Sequence, residues 1–130
     1  MSSYEILAIG GLGFALIAFI YIIGFKRQIG NFVAAAMLAA GFGAFTGATI
    51  LFEGVMPVLE NHTNNLWGVQ VWWDLIFAVS IALFFIAPRA RKVSMNVPLW
   101  ALFVASTASI GMFAMIARLF WLENQAKAQA

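Results

Sequence analysis

The chain has 130 residues, of which 64% are hydrophobic and 9% charged, and 7 Lys+Arg against 5 Asp+Glu leave a formal net charge of +2. A soluble domain carries about 25% charged residues, so this chain lacks the polar side chains to cover its own surface and is expected to sit in a lipid bilayer. A nucleic-acid partner is excluded because so few basic residues cannot build a phosphate-binding face, and the absence of cysteine excludes disulfides, thiolate metal sites and covalent haem attachment.

The first apolar stretch, about 6–25, follows Met-Ser-Ser-Tyr-Glu. It has no positive n-region, which predicts a permanent span rather than a cleaved signal peptide. Lys26-Arg27-Gln28 then makes a tight polar turn into a second stretch, 32–53, that carries Ala35, Ala36, Ala39, Ala40, Gly43 and Gly47. Lipid provides no hydrophobic drive between helices, so small residues mark where backbones approach. Gly43-Ala-Phe-Thr-Gly47 is either a dimerisation seam or, as expected here, a packing surface within the chain. The segment from Pro57 to Asn65 reads as a longer turn, in which His62 is expected to be a solvated loop histidine rather than a metal ligand.

A third stretch, 66–87, contains Asp74, whose insertion costs about 2.5 to 3.5 kcal/mol and is offset by its apolar neighbours. Pro88 to Asn96 reads as a break before the last stretch, 97–121. Each stretch approaches the ~20 residues that cross ~30 Å of hydrocarbon. None alternates polar and apolar residues as a barrel strand does. The expectation is therefore an all-α integral membrane protein, one domain over 1–130, built as a four-helix transmembrane bundle. Lys26, Arg27, Arg89, Arg91 and Lys92 fall in the first and third turns, so positive-inside counting predicts a multi-pass protein with both termini on the outer side.

Glu53, Asp74 and Arg118 are the ionisable residues inside or at the rim of these stretches. Counting from the basic turns carries all three toward the outer half. Thr46, Thr49 and Glu53 share a helix face, as do Gln70 and Asp74, and as do Thr107, Gly111 and Arg118. If the three stripes converge, they form a hydrated vestibule in which Arg118 neutralises one carboxylate and leaves the other to hold a proton or a cation. The alternative is that Arg118 snorkels beside Glu53, Asp74 bonds Gln70, and nothing binds. Gly111 joins Gly43 and Gly47 as an expected helix-packing position. No paired histidines, Glu-x-x-His spacing or Ser–His–Asp set occurs, so neither catalysis nor a metal site is expected, and no cofactor is indicated.

Asp74-Leu75, Phe84-Phe85, the Arg89-Ala-Arg91 turn, Gly111 and the Leu119-Phe120-Trp121-Leu122-Glu123 ending resemble the last two spans of an uncharacterised bacterial family of short integral membrane proteins, known only as a domain of unknown function. The resemblance covers roughly the final 60 residues. It implies a small bacterial inner-membrane helical protein and lends no functional residue. Minimal loops and small-residue seams point to a non-catalytic accessory or structural subunit, with the lipid bilayer and other membrane subunits, or its own copies, as partners. The competing expectation is a small oligomeric transporter or channel using Asp74 and Glu53 as coupling or selectivity groups.

Overall fold

The computed structural model describes residues 1–27 and 29–130. Its regular structure is helical throughout: α1 (Ser3–Gly24), α2 (Phe32–Glu53), α3 (Met56–Thr63), α4 (Leu66–Lys92), α5 (Val97–Thr107) and α6 (Ser109–Gln129). Three of these, α1, α2 and α4, are long and apolar enough to cross a membrane.

Side-chain caps set where the helices begin. Ser2 and Glu5 form a reciprocal capping box on α1. The Asn31 side chain accepts from the Val33 and Ala34 N–H groups, Asn65 from Gly68 and Asn96 from Leu99. The asparagines that punctuate the sequence as turn residues are thus helix starts. Pro57 lies in the first turn of α3, where a missing N–H is harmless, so much of the expected 57–65 turn is helix.

Pro88 does not end α4, which continues to Lys92. The stop is set just beyond it by Ser94, a non-glycine residue with φ 58°. There the Ser94 N–H bonds the Arg91 carbonyl at 3.1 Å and the Met95 N–H bonds that of Ala90 at 3.0 Å. This is a Schellman motif with its usual apolar clasp, since Ala90 and Met95 are both buried.

The expected fourth span, 97–121, is two helices. α5 stops at Thr107, the chain turns on Ala108 with φ 50° and ψ −115°, and α6 starts at the next residue. The Ala108 N–H still donates to Val104, 2.7 Å away, while its carbonyl accepts from Met112 at 3.0 Å, so one residue closes one helix and opens the other. Left-handed φ on a residue with a Cβ costs roughly 1–2 kcal/mol and must be held by packing. That packing comes from α6 folding back along α5. At Gly111 a Cβ would sit 2.9 Å from the Val104 Cα and 3.0 Å from the Phe103 carbonyl oxygen, so glycine is what lets the two backbones meet.

The fold-back determines where the C-terminus goes. Arg89, near the end of α4, forms a two-pronged pair with Glu123 of α6, Nε to Oε1 at 2.9 Å and Nη2 to Oε2 at 2.6 Å. α2 runs antiparallel to α6: Gly30 lies against the Phe120 ring, and a Cβ on Gly43 would be 3.8 Å from Ile110. The end of α6 therefore stands beside the α1–α2 turn and the end of α4, and not at the opposite end as the expectation of two outer termini requires. Six of the seven basic residues, Lys26, Arg27, Arg89, Arg91, Lys92 and Lys127, belong to this one end.

Val104, Met115 and Leu119 are fully buried at the centre, with Ala90, Met95 and Met112 around them. α2 contributes the buried Ala35. α1 contributes no buried residue, and its Gly10, Gly11 and Gly13 have no neighbouring atom within 4 Å of a Cβ.

Candidate functional site

The polar residues gather at the end opposite the basic turns, in the angle between α2 and α3. α2 ends on Gly54, whose φ of 81° only glycine adopts without strain, and the reversal sends α3 back across the end of the bundle. α3 is then pressed onto α4 where Gly68 lets the Asn61 carbonyl approach, and the His62 ring packs tilted against the Trp72 ring, centroids 5.4 Å apart. His62 Nδ1 bonds the Val58 carbonyl of its own helix, which leaves Nε2 as the free ring nitrogen. His62 is consequently a helix residue held between two partners, not a solvated loop residue.

Thr46, Thr49 and Glu53 of α2 meet Asn61 and His62 of α3 around a cavity of about 360 Å³ whose remaining walls include Phe42, Phe45, Ile50 and Val58. The Thr49 hydroxyl donates to the Phe45 carbonyl at 2.9 Å, so it faces the cavity as an acceptor. The site offers one carboxylate, one imidazole nitrogen, one amide and two hydroxyls against aromatic walls. Among the described residues no cluster of three His, Cys, Asp or Glu side chains suited to a metal ion occurs.

The other two stripes do not join it. Leu75, Val79, Leu83, Ile86 and Ala90 mark the face of α4 turned to the core, whereas Gln70 and Asp74 are exposed and off that face. Thr107 sits at the α5–α6 break, its hydroxyl bonded to the Phe103 carbonyl at 2.7 Å and crowding Gly111. Arg118 lies five residues before Glu123 and therefore belongs to the basic half of α6, where its guanidinium stacks over the Trp121 ring at 4.4 Å from the centroid. Counting along an unbroken span carried it to the wrong end. The vestibule of Glu53, Asp74 and Arg118 is thus not formed: the α2 stripe keeps its cavity, and its second wall comes from Asn61 and His62, which the sequence signalled only through Pro57 as a helix start.

Within the helix-packing set, Gly43 faces α6 and Gly111 faces α5, while Gly47 has nothing within 4 Å of a Cβ. The ion pair Arg89–Glu123 has no counterpart in the straight-span expectation, which puts the end of the last span on the far side from Arg89. Comparison with known proteins finds no matching family model, no matching curated protein and no matching solved structure.

Proposed function

We propose that this chain is a non-catalytic accessory subunit of a larger membrane assembly in a bacterial inner membrane, docked through the outward face of α4. In this reading α1, α2 and α4 cross the bilayer, α5 and α6 form a re-entrant hairpin, and the basic end with the C-terminus faces the cytoplasm. The observation that carries the proposal is Asp74. It lies 15 residues before Arg89 on a helix, hence ~22 Å from the basic border, a depth that in this reading is inside the hydrocarbon. It is exposed together with Gln70, one turn earlier on the same face. A carboxylate turned to lipid at that depth costs about 2.5 kcal/mol or more, so the face calls for a partner helix with a basic or hydrogen-bond-donating side chain opposite Asp74. The absence of any buried residue on α1 supports the same reading, since that helix has a whole circumference to share.

Purification from native membranes in a mild detergent tests it. A stoichiometric larger partner is expected, and Asp74→Leu should release that partner while keeping the bundle folded, because Asp74 supports nothing inside the chain. A symmetric self-oligomer with no other subunit would favour a small transporter working through Glu53 and its cavity. Retention of the partner by Asp74→Leu would remove α4 as the docking face.

A further inference from the structure

At the basic end, the α1–α2 turn and the last turns of α6 enclose a cavity of about 630 Å³. Its lining carries two kinds of chemistry. Arg27, Asn31, Asn124 and Lys127 supply polar groups, and Tyr21 and Phe25, with ring centroids 5.1 Å apart, supply aromatic surface. The carboxylate side chain nearest in sequence to Lys127 is Glu123, which is taken by Arg89. Asn31 commits its side-chain oxygen to the Val33 and Ala34 N–H groups, so its NH2 remains as the donor. The cavity therefore presents two cations and amide donors together with aromatic surface, at the level where α1 and α2 leave their apolar stretches.

The geometry points to a binding site for one anionic phospholipid, its phosphate held by Arg27 and Lys127 and the first part of its acyl chains laid against Tyr21 and Phe25. Basic pockets between helices at the cytoplasmic border are suited to such headgroups. Free phosphate would satisfy the polar groups alone and leave Tyr21 and Phe25 without an occupant. The lipid also supplies what the fold lacks, because it bridges α1, which buries no residue of its own, to the end of α6.

Native mass spectrometry of the full chain in a maltoside detergent, with phosphatidylglycerol or phosphatidylcholine of identical acyl chains, tests the assignment. The wild type should retain phosphatidylglycerol selectively. Arg27→Gln with Lys127→Gln should bind it about thirtyfold more weakly, roughly fivefold for each cation near the headgroup. Arg91→Gln with Arg118→Gln removes the same charge away from the cavity and should bind normally. Equal retention of the two lipids by the wild type, or equal loss in the two double variants, would overturn the site. Displacement of the lipid by millimolar inorganic phosphate would reassign the polar groups to the free anion and overturn the lipid assignment. A photoactivatable phosphatidylglycerol on the wild type needs no variant to fold: crosslinks should map to Tyr21, Phe25 and Asn124, and crosslinks confined to other segments would refute the proposal.

Discussion

Gly111→Ala is the sharpest probe of the fold-back, because it adds one methyl group where two backbones meet. The new Cβ would lie 2.5 Å from the Thr107 hydroxyl oxygen, 2.9 Å from the Val104 Cα and 3.0 Å from the Phe103 carbonyl oxygen. Two of these three atoms are backbone and cannot rotate away, so α5 and α6 must separate and loosen the core around Val104 and Met112. Overpacking of this kind costs about 1–3 kcal/mol, against which alanine regains roughly 1 kcal/mol of helix propensity over glycine. The net expectation is a loss of about 0–2 kcal/mol relative to wild type, or a fall in Tm of up to roughly 8 °C at this chain length. Gly47→Ala provides the control, since a Cβ there meets nothing within 4 Å and the propensity gain stands alone. Thermal unfolding in detergent, followed by circular dichroism, reads both variants. If Gly111→Ala proves as stable as Gly47→Ala, the two backbones do not meet at that position and α6 does not double back on α5.

Single cysteines at Ser94 and Gln129 should both resist an impermeant maleimide applied to intact cells while one at Thr63 labels; labelling at 129 with protection at 94 would return the C-terminus to the far side. Ser94→Gly should raise stability by about 0.5–1 kcal/mol, because glycine holds the left-handed position of the Schellman motif without strain, and a destabilised variant would contradict that geometry. A double-mutant cycle on Arg89→Gln and Glu123→Gln should give a coupling of roughly 1 kcal/mol, kept modest because the side chains are 39% and 16% exposed; no coupling would mean that the pair does not tie α4 to α6.

The spans α1, α2 and α4 were legible in the sequence because run length and all-round apolarity are local properties. The break at Ala108 was not, since 97–121 contains no charge before Arg118 and the residue at the turn is an alanine rather than a glycine. What turns the chain is tertiary: α6 buries Met112, Met115 and Leu119 against Val104, and the strain at Ala108 follows from that packing. The local trace is the run Ser106-Thr107-Ala108-Ser109, in which the Ser106 and Thr107 hydroxyls both bond the Phe103 carbonyl and so relieve the last turn of α5. An unbroken helix over 97–121 carries Arg118 toward Glu53 and Glu123 away from Arg89; the break reverses both. The α2 stripe fared better, because its small residues mark contact whichever helix supplies it. At Gly43 that helix is α6 of the same chain, and Gly47 is left open.

The fold-back also resolves a charge that the straight reading left stranded. A fourth full span obliges Glu123 and Lys127 to pass through the hydrocarbon and leaves Lys127 as a basic residue on the outer side, against the bias of the other turns. A hairpin has no such requirement. α5 is 11 residues long, so the turn at Ala108 reaches ~16 Å from the basic end, about half of the ~30 Å of hydrocarbon. α2 gives the same depth independently: Ile110 lies against Gly43, 12 residues beyond Asn31, or ~18 Å along the helix. Thr107, Ala108 and Ser109 are half-buried and Gly111 is buried, so protein covers part of the backbone freed at the break, as an interrupted helix in lipid calls for. In the proposed topology the charged tail of α6 stays on the side of the basic turns, where Glu123 pairs with Arg89, and insertion moves only the apolar arc from Val97 to Ala117 into the bilayer.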